Sequence, residues 1–167
     1  VSDLRSAPAP ALAEQDHVRG DSAAPLVIFY GDYTCPRCAL THARLAAAPV
    51  RVAFRHFAIA AKHPRAVPLA CAAEAAGRQG RFWEFHDALF GDPGRTDDPH
   101  LWAHATALGL DLDRFERERR TDELAALVSA HTRAGMRAGI AQTPTLLHDG
   151  KMLPGIPDAE LMARLTG

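Results

Sequence analysis

Five apolar residues in a row, Leu26-Val27-Ile28-Phe29-Tyr30, stand between a turn-like stretch at 21–25 and Gly31. Short, apolar and partly β-branched, the run has the pattern of a strand buried on both faces. Residues 39–48 are mostly helix formers up to the breaker Pro49, and residues 50–57 alternate well enough for a second strand. Joining two strands through a helix favours a parallel ladder with a right-handed crossover. Whatever follows the first strand then sits at the edge where open α/β sheets place their chemistry.

From 65 to 139 no strand pattern recurs. Helical segments are expected over 66–79, 81–90, 99–108, 112–119 and 121–137, punctuated by Gly80, by residues 91–98 and by Gly109. Strand character returns at 143–148, Asp149-Gly150 is a hairpin signal, residues 151–153 form a short partner strand, and 158–165 read as a closing amphipathic helix. Residues 1–15, rich in Ala and Pro without a hydrophobic period, read as a linker or tail, which leaves 16–167 as one domain with a helical insertion at 65–139. The 167 residues are enough for a self-sufficient core.

The net charge of −1 gives no electrostatic argument for nucleic acid or an anionic membrane as partner. The longest apolar stretch near the start is far below the ~20 residues of a spanning helix, so a membrane enters only through a segment fused or anchored upstream. The first sixteen residues lack the apolar core of an intact signal peptide, and the missing initiator Met is read as processing or trimming. Compartment stays open between extracytoplasmic and cytoplasmic.

Three cysteines are too few for a disulfide framework. Cys71, in an alanine-rich run, reads as a buried small hydrophobe; Cys35 and Cys38 form a natural pair. In Cys35-Pro36-Arg37-Cys38 the proline suits the first turn of a helix, where its missing N–H is no loss, so Cys35 takes the N-cap. A thiolate there meets unpaired backbone N–H groups and the positive end of the helix dipole, and Arg37 adds a mobile positive charge; its pKa is expected to fall. Cys38 lies on nearly the same helical face, at a separation that a disulfide tolerates, so it can resolve a mixed disulfide on Cys35 without a cofactor. The same spacing with His42 offers three zinc ligands. No second CxxC or close His pair completes that set, with His56 and His63 available only if the fold brings them near; no metal is assigned.

Pro144 opens an otherwise apolar strand, where it cannot donate to a ladder and belongs at the first position or on an edge, with a cis bond as one option. Thr143 would then keep its backbone free for an incoming peptide docking by strand addition. The nine histidines are scattered, the aromatic residues Phe82, Trp83, Phe85 and Phe90 read as core, and the mixed charges from Arg114 to Arg120 read as a salt-bridged exposed surface.

Asp16-His17-Val18-Arg19-Gly20 and the block from Tyr30 through Cys38 resemble the bacterial DsbA-like oxidoreductases. Arg55-His56-Phe57, His63-Pro64, Ala72-Ala73-Glu74-Ala75-Ala76, the segment from Gln79 to Phe90 and Thr143-Pro144-Thr145 are similar to later blocks of that family, in the same order. The resemblance implies a thioredoxin-like α/β fold with the helical insertion between the CxxC unit and the cis-proline strand. It also implies Cys35 as nucleophile, Cys38 as resolving thiol and Pro144 as the cis-proline facing them. The chain further resembles thioredoxin-like domains fused to some bacterial sodium/proton antiporters, which would make its start a linker. Two positions depart from the pattern. Phe29 stands where a buried acid is common, leaving Asp32, Glu84 and His42 as candidate proton carriers, and Gln142 stands where a glycine is common.

The expected activity is disulfide exchange with protein or peptide thiols, recycled by a redox partner, with Thr143, Pro36 and Arg37 contacting substrate. The rival readings are a peptide- or partner-binding module with weak redox activity, and a zinc-binding regulator.

Overall fold

The computed structural model describes residues 11–167, so the expected tail or linker at 1–15 lies, apart from residues 11–15, outside the described part. Strands β1 (His17–Arg19), β2 (Leu26–Gly31), β3 (Arg51–His56), β4 (Thr145–His148) and β5 (Lys151–Pro154) form one mixed sheet in the order β1-β3-β2-β4-β5. The central β2 pairs in parallel with β3 and antiparallel with β4. Helix α1 (Pro36–Ala46) makes the β2-to-β3 crossover. Between β3 and β4 lie α2 (Ala66–Gly77), α3 (Phe82–Gly91), α4 (Asp98–Ala107), α5 (Leu112–Glu118) and α6 (Asp122–Arg137), and α7 (Ala159–Thr166) closes the chain. This is a thioredoxin-like sheet carrying a helical insertion.

Local chemistry explains most boundaries. Asp97, Asp111, Thr121 and Asp158 each accept a hydrogen bond from the backbone N–H three residues on, capping α4, α5, α6 and α7. The β4–β5 hairpin turns through Asp149 at φ 48° and Gly150 at φ 72°, the pair of positive values that a tight two-residue hairpin turn requires. Strand β2 is buried on both sides. Val27 and Phe29 face the larger core with α1 to α5, whereas Ile28 and Tyr30 face a smaller cluster with Phe57, Ile140 and Leu147.

The structure differs from the sequence pattern at three places. Strand β1, three residues paired antiparallel with β3, is too short to display a period-two alternation. Strand β2 continues through Gly31 instead of stopping there; with no Cβ, Gly31 lets the Phe29 and Phe54 rings close over the strand end. The charge-rich stretch at 114–120 is only partly surface: Arg119 is buried and donates to Asp98 at 3.0 Å, so this arginine clamps α4 to the end of α5.

Candidate active site

The chain leaves β2 through a turn in which the Cys35 N–H donates to the Asp32 carbonyl at 3.1 Å. Cys35 is the N-cap of α1, extended at φ −94° and ψ 113°, with Pro36 in the first turn and no side-chain cap hydrogen bond. The cap position is therefore occupied by sulfur where Ser, Thr or Asp would ordinarily stand. Cys35 is half-buried, Cys38 fully buried, and both are free thiols.

Their environments drive them apart. A hydrogen bond from the Cys38 thiol, followed by Thr143 and the backbone N–H groups of Cys38 and Arg37, outweighs burial and lowers the Cys35 pKa to about 5. The same contact with Cys35, reinforced by burial, pushes Cys38 far above the ordinary thiol value. Arg37 lines the groove beside the pair.

Opposite Cys35, the Thr143–Pro144 peptide bond is cis, and the Thr143 carbonyl oxygen lies 3.8 Å from the Cys35 sulfur. Because β4 pairs only from Thr145 onward, Thr143 is outside the sheet ladder. A groove of about 230 Å³ runs past Cys35, bounded by Asp32, Arg37, Lys62, His63 and Thr143. Gln142 lies on the same rim.

A sequence model described as thioredoxin matches residues 12–165. The chain belongs to the thioredoxin family. Among solved structures, this chain superimposes on a thioredoxin-like oxidoreductase from Silicibacter pomeroyi with a TM-score of 0.80, at 24% identity over 92% of this chain and 91% of that one. It superimposes on the thiol-disulfide exchange protein alpha-DsbA2 from Wolbachia pipientis with a TM-score of 0.78, at 17% identity over 90% and 85% of the two chains. Among curated sequences, it is 37% identical over 161 residues to the Na(+)/H(+) antiporter NhaA 1 of Salinispora arenicola and 36% identical over 162 residues to that of Mycolicibacterium gilvum. Those alignments cover 92% and 90% of this chain but only 24% and 26% of the relatives, so the chain spans about a quarter of their length. No helix among its described residues is long and apolar enough to cross a membrane.

The residues singled out as proton carriers separate in space. Phe29 is buried against Phe54 and Phe90, with ring centroids 5.2 and 6.1 Å away, which makes that position part of an aromatic core. Glu84 pairs with Arg81 at 2.9 Å on the surface. His42 turns toward α3, with Nε2 3.3 Å from Asp87 Oδ1, and among the described residues it forms no ligand cluster with Cys35 and Cys38. Of the three candidates, Asp32 alone lines the Cys35 groove. It is buried, and its Oδ1 accepts from the Thr34 N–H at 2.8 Å and the Thr34 hydroxyl at 2.7 Å.

A buried polar cluster escaped sequence reasoning. The Glu74 carboxylate, on α2, is shared between His56 Nε2 at 2.7 Å and His17 Nε2 at 3.0 Å. Burial opposes its ionisation, yet the hydrogen bonds from His17 and His56 win and hold it well below the usual carboxylate range. Glu74 stands alone in an alanine run, and its partners lie 57 and 18 positions away, so no local spacing announces it. His56, a conditional zinc ligand in the sequence, is engaged here, whereas His63 lies on the groove rim.

Proposed function

We propose that this thioredoxin-family chain exchanges disulfides with protein or peptide thiols, Cys35 being the attacking sulfur and Cys38 the resolving one. The observation that carries the reading is the placement of two free thiols one helical turn apart, Cys35 half-buried at the N-cap of α1 beside the Thr143 carbonyl and Cys38 buried behind it, which favours thiolate at the first and thiol at the second. An accessible thiolate is the attacking form in disulfide exchange.

In the oxidising direction a substrate thiolate attacks the Cys35 sulfur of the Cys35–Cys38 disulfide. The S–S bond breaks, Cys38 leaves as thiolate and takes a proton, and a mixed disulfide joins substrate to Cys35. A second substrate thiolate then attacks the substrate sulfur of that bond and releases Cys35 as its stabilised thiolate. The substrate gains a disulfide, the pair is left as dithiol, and a redox partner must reoxidise it. In the reducing direction each bond change runs backwards. A stabilised Cys35 thiolate favours the dithiol form and so supports the oxidising direction.

Thr143, free of the β4 ladder and facing Cys35, supplies a backbone edge to which an extended peptide can hydrogen-bond, with Pro144 fixing that edge and Pro36 and Arg37 forming the opposite lip. Asp32 is the carboxyl beside the groove that can pass a proton to the leaving Cys38, through a water where needed. The curated relatives favour a second reading, in which the domain works beside a sodium/proton antiporter and its substrate thiols belong to that partner.

The test is an equilibrium titration in glutathione redox buffers, with thiols trapped and counted by mass. A reversible two-electron couple near about −120 mV marks an oxidant of protein thiols, and one near about −270 mV a reductant. No reversible couple would sink the redox assignment and leave a peptide- or partner-binding module.

A further inference from the structure

His42 follows Cys38 by one helical turn, on the same face of α1. Rather than joining the cysteines, it meets His86 and Asp87 of α3, and the three residues each bring a ligand atom within 4.8 Å of the other two. Ligands bonded to a tetrahedral zinc ion at about 2.0–2.1 Å are about 3.3 Å from one another. His42 Nε2 and Asp87 Oδ1 already stand at 3.3 Å. His86 needs to close by no more than about 1.5 Å to complete three corners of that tetrahedron.

The surroundings suit an ion as well as the spacing does. Tyr33 stands 2.7 Å from His86 Nδ1. That contact leaves Nε2 to coordinate and provides the outer hydrogen bond that metal-bound histidines keep. The Phe90 ring stacks on His42 with centroids 5.1 Å apart, walling the inner side. Toward solvent the site is open, since the Asp87 side chain is 47% exposed, which gives an ion an access path and room for a water as fourth ligand. Arg19 donates to both Asp87 oxygens at 2.8 Å and is the group an incoming cation must displace or share with.

We propose that His42, His86 and Asp87 bind a divalent transition-metal ion of the zinc class, outside the cysteine pair and bridging α1 to α3. Two imidazoles and one carboxylate suit zinc or copper(II) and disfavour magnesium or calcium, which take oxygen ligands. The ion ties the helix that carries Cys35 and Cys38 to the helical insertion and so stiffens the base of the redox site, whichever direction that site works in.

The experiment uses the Cys35→Ser/Cys38→Ser chain, so that a dithiol cannot chelate the probe, stripped of metal and titrated with zinc ions against a chromophoric chelator. One zinc per chain is expected, with a rise in melting temperature, and His42→Ala and Asp87→Asn should each weaken binding at least tenfold. The Asp87 side chain is 47% exposed, so Asp87→Asn should melt near the parent without metal; the His42 side chain is 13% exposed and packs on Phe90, so His42→Ala is read by its zinc affinity alone, and His86, fully buried, is left intact. Absence of stoichiometric binding, or an affinity that neither substitution changes, would overturn the proposal.

Discussion

The Cys35 sulfur lies 3.8 Å from the Thr143 carbonyl oxygen although the two residues are 108 positions apart in the chain. The helical insertion is long but topologically neutral: it leaves at the end of β3 and returns at β4, the neighbour of β2. The last turn before β4 therefore arrives beside the first turn after β2. Cys35 and Thr143 line one groove, so in the proposed exchange the attacking sulfur and the docking edge form one site.

Alkylation of Cys35 in the reduced protein should follow its thiolate fraction, half-maximal near pH 5 instead of near the ordinary 9.0. Cys38→Ala removes the leading hydrogen-bond donor and should raise the midpoint by roughly one unit or more. The folded-state value lies below the unfolded one, so the stabilisation of the dithiol form by Cys35 is complete above pH about 9 and is lost as pH falls through about 5. Iodoacetamide rates against pH and urea midpoints of the reduced chain at pH 5 and 8 measure both. A midpoint above pH 8 would remove the N-cap account of reactivity.

Asp32→Asn should slow attack of Cys38 on the Cys35 mixed disulfide, the reverse of the proton transfer proposed for Asp32, by about a hundredfold, the lower end of the roughly 10²–10⁴-fold range of general acid–base catalysis, while leaving the alkylation midpoint of Cys35 close to the parent's. Asn keeps the oxygen that accepts from Thr34, so the turn should persist. Stopped-flow mixing with a fluorescent mixed disulfide reads the step directly, and an unchanged rate constant would assign the proton to solvent alone.

Glu74→Gln leaves His17 and His56 without their shared anion. Hydrogen bonds to a charged group are worth about 1.5–3 kcal/mol each; since the amide oxygen can still accept one of the two, a net loss of about 2 kcal/mol is expected. The carboxylate's pKa is depressed on folding, so its contribution is present above the unfolded value of about 4.3 and disappears as pH falls through the folded one. Melting temperatures of parent and variant should accordingly differ most at pH 6–7 and converge in strong acid. A constant difference down to pH 2 would mean that Glu74 acts by packing.

Gly31→Ala places a Cβ 2.8 Å from the Phe54 ring and 3.0 Å from that of Phe29, both buried. Replacing a strand glycine gains about 0.5–1 kcal/mol of backbone entropy, whereas overpacking a tight core costs about 1–3 kcal/mol. The clash is the larger effect, and guanidinium denaturation should show a net loss of about 1 kcal/mol. Equal or higher stability would mean that the two rings can shift without penalty.

Much of the fold can be read along the chain because neighbouring residues decide it. The apolar run of β2, Pro36 in the first turn of α1 and the Asp149-Gly150 turn each depend on residues within a few positions. Strand β1 could not be found that way, since three residues carry no period and pair only because β3 offers an edge. Arg119 misled for a related reason: among mixed charges it looks solvated, and only the packing of α4 against α5 buries it.

The sequence by itself determined that Cys35 sits at a helix N-terminus with Cys38 one turn on, since Pro36 and helix geometry leave little choice. Tertiary structure alone decided which groups face those sulfurs and which do not. It set Thr143 beside Cys35, gave Asp32 the groove, enclosed Phe29 in aromatic packing, and turned His42 away to His86 and Asp87. Such pairings depend on sheet order and helix packing across tens of residues, where each partner, taken alone, is an ordinary polar side chain with no local signature.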